Sequence, residues 1–178
     1  MEIKKYRIYT DGSYNKDKPD EVHGGIVYWD TVENKVTGCA HVSSKDKRLT
    51  SGWNVGGEVL AAYVGLKSIY ATLEEQGQCA DSDPVIIELV YDYQGVGAWI
   101  TGVWKNRNKP TSIWYYDKMM SLINSLKNVE VRFIWVKGHG DSVGNQVADM
   151  CASHTLRFNP SYNVQTFCFD DSNGVVCI

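Results

Sequence analysis

The run Val85-Ile86-Ile87-Glu88-Leu89-Val90 constrains this chain more than any other segment. Pro84 precedes it, and apart from Glu88 it offers apolar side chains to both faces of a strand. Such a strand is stable between two neighbours and under cover on both sides, as in a parallel sheet with helices above and below. The surrounding pattern supplies that cover. Residues 3–10 alternate as a strand with Tyr6, Ile8 and Thr10 on one face, and 23–30 and 35–43 give two more around a polar turn at Glu33-Asn34. A helix starts near Gly57, carries an apolar stripe at Val59, Ala62, Tyr63, Leu66, Tyr70 and Leu73, and stops before Gly77. After the apolar run, one helix presents Val96, Trp99, Ile100 and Val103 and ends before Pro110; another covers 112–126. Residues 129–136 alternate as a last strand, and a helix over 143–156 closes the pattern. Three strands followed by helix, strand, helices, strand and helix predict an α/β fold. Its mixed five-stranded sheet has three antiparallel strands plus two parallel ones, with helices on both faces.

At 178 residues the chain has room for one domain with a sizeable core. We expect that domain to span 1–157, with 158–178 as a C-terminal extension containing Asn159-Pro160 and a strand-like run at 164–169. No stretch of 18 apolar residues exists, so no membrane span is expected, and Met1-Glu2-Ile3-Lys4-Lys5 lacks the apolar core of a signal peptide. The five cysteines, at 39, 79, 151, 168 and 177, cannot all pair. A reducing compartment, and hence the cytoplasm, is the expectation. The net charge of −3 argues against a protein that coats nucleic acid and fits an enzyme that visits its substrate. The stretch Trp104-Lys105-Asn106-Arg107-Asn108-Lys109 is the place where an aromatic and three cations could hold a phosphate backbone. No obligate protein partner is evident.

Four carboxylates stand at places where strand ends and helix starts meet. They are Asp11 in Tyr9-Thr10-Asp11-Gly12-Ser13, Glu58 in Gly56-Gly57-Glu58-Val59-Leu60, Asp92 in Leu89-Val90-Tyr91-Asp92-Tyr93-Gln94, and Asp149 in Gly144-Asn145-Gln146-Val147-Ala148-Asp149. Each alone has an ordinary reading, as a turn former or a helix-dipole partner. Brought to one sheet edge, the four would repel unless divalent cations lay between them, which is the donor set of a two-metal nuclease. Cys151 and His154 have the i, i+3 spacing of helical metal ligands. The sequence shows no second ligand pair nearby, so no zinc site is expected.

These motifs, with Trp135-Val136-Lys137-Gly138-His139-Gly140, resemble the type 1 ribonucleases H in order and context over residues 3–155. The resemblance implies a ribonuclease H-like fold and a metal-dependent endonuclease that cuts the RNA strand of RNA–DNA hybrids, leaving 5′-phosphate and 3′-hydroxyl ends. It implies that Asp11, Glu58, Asp92 and Asp149 bind two Mg²⁺ ions, with Mn²⁺ as a substitute. Asp11 would bridge both ions, Asp149 would complete the site that activates water, and Glu58 and Asp92 the site that supports the leaving oxygen. His139 would assist proton transfer or product departure. Asn54, Gln94 and Asn145 would contact substrate, the first two in the minor groove where 2′-hydroxyls mark RNA. Two departures stand out: the chain has no room for a long basic insertion after Trp104, and Trp53 and Val55 stand where small polar residues often pocket a DNA phosphate. The other function class is a non-catalytic nucleic-acid-binding module of the same fold. A recombinase-type nuclease shares the acidic logic but not the Lys137-Gly138-His139 loop.

Overall fold

The computed structural model describes residues 3–158, 162–171 and 174–177; the Asn159-Pro160 pair lies outside them. One mixed sheet organises the chain, in the order β5-β4-β1-β2-β3-β6-β7. Strands β1 (Lys4–Tyr14), β2 (Val22–Asp30) and β3 (Lys35–Ser44) form the antiparallel set. β4 (Val85–Tyr91) lies parallel between β1 and β5 (Val129–Trp135), where its apolar run is covered on both edges. The five expected strands are therefore present. Two more join them from the segment read as an extension: β6 (Val164–Asp170), parallel to β3, and β7 (Gly174–Cys177), antiparallel to β6.

Adjacent residues of β2 show how the two faces are covered. A Cβ at Gly24 would meet the Ala61 side chain of helix α2 (Asn54–Glu75), whereas one at Gly25 would lie 2.1 Å from the Ala148 carbonyl oxygen of helix α5 (Val143–Ala152). Alternation sends the two positions to opposite faces, so α2 and α5 sandwich the sheet, and α5 reaches β2 closely because Gly25 has no side chain. The larger core joins α2 to Ile8, Ile26, Leu89 and α4 (Pro110–Ile123); a smaller one joins α5 to Tyr9, Val27 and Val90. α2 is buried all round from Gly56 to Leu66, so the apolar stripe expected from Val59 onward widens there to the whole circumference. Gln78 and Gly77 donate their backbone N–H groups to Leu73 and Glu74 and close its C-terminus.

The segment after residue 158 contributes side chains as well as strands. Phe169 packs edge-on to Tyr63 and Trp114, with ring centroids 5.8 and 5.6 Å apart. Asp171 pairs with Arg48, in the short helix α1 (Lys47–Thr50), and with Lys118 of α4.

Several boundaries differ from the sequence reading. β1 continues past Asp11, because its pairing with β2 runs on to Tyr14 after its pairing with β4 has ended at Tyr9. α2 begins at Asn54, which moves Glu58 from the first helical turn to the second. The helix expected to carry Val96 to Val103 is a single turn, α3 (Gly95–Ala98). Gly102 adopts φ +81°, the Trp104 N–H bonds back to the Ala98 carbonyl, and Val103 faces solvent. α5 ends at Ala152, where His154 takes φ +63° and a 3-10 turn, Thr155–Phe158, follows. Among the described residues no disulfide forms from Cys39, Cys79, Cys151 or Cys168, and no helix is long and apolar enough to cross a membrane.

Candidate active site

Strand register sets two carboxylates side by side. β1 and β4 run parallel with Tyr9 opposite Val90, so two residues further on Asp11 comes level with Asp92. Tyr9 and Val90 both pack toward α5, and the two-residue repeat sends Asp11 and Asp92 to the same side. Glu58 arrives from the other face. A Cβ at Gly12 would sit 2.2 Å from the Glu58 backbone nitrogen, so the glycine beside Asp11 lets α2 touch the strand. One carboxylate oxygen from each of Asp11, Glu58 and Asp92 lies within 4.8 Å of the others, an arrangement able to hold a metal ion.

Asp11 and Glu58 are nearly inaccessible, at 6% and 7% exposure. The Gly12 N–H donates to Asp11 Oδ1 at 2.8 Å. Burial pushes the Asp11 carboxyl up to about 6, and the Asp92 and Asp149 charges add to the rise against the bond from Glu58. Burial, then the Asp11 charge, holds Glu58 well above the usual carboxylate range. In the metal-free protein Glu58 therefore takes up a proton more readily than an exposed carboxylate does. Glu58 Oε2 is buried with no hydrogen-bond partner. A buried carboxylate oxygen without a donor costs free energy that a cation would remove.

Asp149 stands half-buried on α5, outside the group of three but close enough for its charge to act on Asp11. Ser142 caps α5 by accepting from the Asn145 N–H, and the buried Asn145 side chain donates from Nδ2 to Asp92 Oδ2 at 3.3 Å. Trp135 Nε1 donates to the Asp92 carbonyl oxygen at 2.7 Å and fixes the backbone there. His139 is exposed, with φ +55°, on the loop between β5 and α5, and is not within the carboxylate group. Asn54 and Gln94 are exposed, four residues before Glu58 and two after Asp92 in the chain. Trp53, just before α2, is 65% exposed and takes φ +54°, ψ −126°. The basic stretch is partly packed: Trp104 stands edge-on to Tyr93 and Trp99, and the Arg107 guanidinium lies 3.8 Å from the Tyr116 ring centroid.

Sequence reasoning missed the bond from Trp135 to Asp92 and the direct hold of Asn145 on the same residue. The signal for the second was present, since Asn145 lies four residues before Asp149 and so shares a helix face with it.

The family model for RNase H matches residues 3–157. A ribonuclease H of Bartonella tribocorum is 28% identical over 162 residues, covering 86% of this chain and 90% of its own length. One from Acetivibrio thermocellus is 27% identical over 161 residues, covering 88% and 98%. Among solved structures, LC11-RNase H1 in complex with an RNA/DNA hybrid superposes with a TM-score of 0.61 at 16% identity, covering 85% of this chain and 99% of that one. RNase H1 from the halophilic archaeon Halobacterium salinarum NRC-1 gives 0.59 at 18%, covering 86% and 98%. With the family model matching residues 3–157, a span that contains all four acidic positions, and solved RNases H1 sharing the fold, the chain belongs to the RNase H family.

Proposed function

We propose that this ribonuclease hydrolyses the RNA strand of RNA–DNA hybrids internally, leaving 5′-phosphate and 3′-hydroxyl ends, with two Mg²⁺ ions held by Asp11, Glu58, Asp92 and Asp149. The observation that carries the reading is the convergence of three carboxylates from β1, α2 and the end of β4 on a point where a buried Glu58 oxygen lacks a partner. The donor set suits the ion, since hard carboxylate oxygens are what Mg²⁺ prefers. When bound, the paired ions supply a water-derived nucleophile at neutral pH and stabilise charge on the leaving oxygen.

The chain's own residues do the rest. Asp11 would hold an ion together with Glu58 and Asp92, and it is also the carboxylate on which the Asp149 charge acts, as a ligand shared by two ions would require. Asn145 donates to Asp92 Oδ2 and so orients that carboxylate, while its own Oδ1 is buried without a hydrogen-bond partner. Asn145 thus acts first as a positioning residue for Asp92, with any substrate contact secondary. Exposed His139 is free to carry a proton to or from the reacting phosphate from outside the carboxylate group. Asn54 and Gln94 flank the carboxylates with amides that both donate and accept, as recognition of a 2′-hydroxyl requires. The hybrid bound by LC11-RNase H1, which shares this fold, supports that substrate class. A binding module freed from catalysis would be more stable without the crowded acids.

One labelled sequence, offered as hybrid, double-stranded RNA, single-stranded RNA and double-stranded DNA, tests the reading. Internal cleavage of the RNA strand of the hybrid alone, in Mg²⁺ and not in EDTA, is the expected result. Cleavage that survives EDTA, or equal cutting of single-stranded RNA, would overturn it.

A further inference from the structure

A second cluster of ligand groups lies on the α5 side of the sheet, across β2 from the carboxylates. His41 is opposite Gly25, whose other neighbour is Asp11, so two strand spacings separate the two groups. His23, two residues before Gly25, shares its face, and His154 reaches the same place from the end of α5. The His23 Nδ1 and His41 Nε2 atoms are 3.2 Å apart. The His154 ring centroid lies 3.6 Å from that of His41 and 5.3 Å from that of His23. One ring nitrogen from each of the three lies within 4.8 Å of the others.

We propose that His23, His41 and His154 form a binding site for one borderline divalent cation of the Zn²⁺ class, separate from the carboxylate centre. Two imidazole nitrogens on one tetrahedral Zn²⁺, with bonds of about 2.0–2.1 Å, stand roughly 3.3 Å apart. The His23 to His41 separation already matches, so two of the three ligands need almost no movement. Three imidazoles without a carboxylate select against Mg²⁺ and favour Zn²⁺, Co²⁺, Ni²⁺ or Cu²⁺. The rings are held by β2, β3 and the turn after α5, so they are set by the fold rather than by one flexible loop. His154 gains its place through φ +63° one residue past the helix cap, a conformation that costs a non-glycine residue free energy.

A fourth coordination position is available. A cavity of about 220 Å³ opens beside His41 and His154, lined also by Cys151, Tyr162, Asn163 and Thr166. Three protein ligands with one open position leave room for water or a small anion. Tyr162, Asn163 and Thr166 belong to the segment that leads into and forms β6, and Thr166 pairs with His41 itself. A bound ion would thus join β2, β3 and the end of α5 directly beside the strand that extends the sheet. Spacing along the chain conceals such a site, because both partners of His154 come from strands more than 110 residues earlier.

The test uses the full chain, stripped of metal and held in excess Mg²⁺, titrated with Co²⁺ and followed by visible absorption. One equivalent should bind, with the absorption of a low-coordinate nitrogen site, and Zn²⁺ should displace it. The melting temperature should rise by several degrees, as expected when a ligand binds the native state alone. Asp92→Asn should leave this binding unchanged. His154→Asn and His23→Asn, each at a part-exposed ring, should lower Co²⁺ affinity at least about tenfold, or 1.4 kcal/mol, with circular dichroism confirming that both remain folded. No visible absorption in the unaltered chain would overturn the proposal, as would binding that survives both histidine changes or is lost with Asp92→Asn.

Discussion

Asn145 donates from Nδ2 to Asp92 Oδ2 across 3.3 Å, a hydrogen bond from α5 to the residue that follows β4. Partners that orient metal-binding carboxylates typically matter about 10–100-fold in metal affinity or activity. Asn145→Ala should therefore raise the Mg²⁺ concentration for half-maximal cleavage by about that factor, with a smaller fall in kcat at saturating Mg²⁺. A Mg²⁺ titration of hybrid cleavage reads both numbers. An unchanged Mg²⁺ requirement would mean that Asn145 serves the substrate alone.

Asp92→Asn keeps the shape of the side chain and an oxygen for Asn145, but removes a charge from the cluster. Turnover should fall by at least about 10²–10³-fold while the hybrid still binds. In EDTA the same change should raise the melting temperature modestly, because the Asp92 charge acts against ionisation of both Asp11 and Glu58. Full activity, or metal-free melting several degrees lower, would count against the site.

Metal-free stability should depend on pH in a direction opposite to ordinary acid denaturation. Burial pushes the Asp11 carboxyl up to about 6, against about 4 for a free carboxyl, and holds Glu58 well above its own usual range. The native state thus holds more protons than the unfolded one above pH 4, so stability falls as pH rises from there to 6 and beyond. Asp11 alone accounts for on the order of 1–3 kcal/mol of that fall. Melting curves in EDTA between pH 5 and 7.5 should shift downward with pH, and Glu58→Gln should flatten the trend. Saturating Mg²⁺ should flatten it as well.

Trp53 holds φ +54° and ψ −126°, a region nearly reserved for glycine, while 65% of its surface faces solvent. Trp53→Gly should stabilise the fold by about 1 kcal/mol through relief of strain. If a base or sugar stacks on the indole, the same change should raise KM for the hybrid about tenfold with kcat little altered, since stacking is worth about 1–3 kcal/mol. A KM left unchanged would confine Trp53 to shaping the start of α2.

Hybrid affinity should be modest. The chain carries a net charge of −3, and the cations after Trp104 number three, one of them already stacked on Tyr116. With about 3–5 phosphates neutralised, the log–log salt slope should be on the order of −2 to −4 and Kd about micromolar. Binding to the Asp92→Asn protein, with and without Lys105→Ala and Lys109→Ala together, measures this. A steep slope that the double change leaves untouched would place the gripping surface elsewhere.

The apolar run at 85–90, the alternation of 129–136 and the signals around Gly77 were all legible, because each depends on a local period or a local turn. So was the convergence of Asp11, Glu58 and Asp92 on one place, although Asp11 lies inside β1 and Glu58 in the second turn of α2. What escaped were relations set by register and by distant strands. That Asp11 lies inside β1 follows from unequal pairing on its two edges, to Tyr14 against β2 and only to Tyr9 against β4. The early end of α3 depended on Gly102 adopting φ +81°, which a run of apolar residues at helical spacing conceals. His23 and His41 carry no local signal, and only the antiparallel pairing of β2 with β3 places them together.

The parallel pairing of β6 with β3 has a consequence for how the protein behaves in crowded solution. Without β6, the ten residues of β3 would offer an open row of backbone donors and acceptors at the margin of the sheet, the template on which a second chain can add. The same loss would empty the slot that Phe169 fills between Tyr63 and Trp114, leaving apolar rings beside that open margin. In the folded chain β6 covers that row and the Phe169 ring covers those rings, so one short strand closes both openings at once.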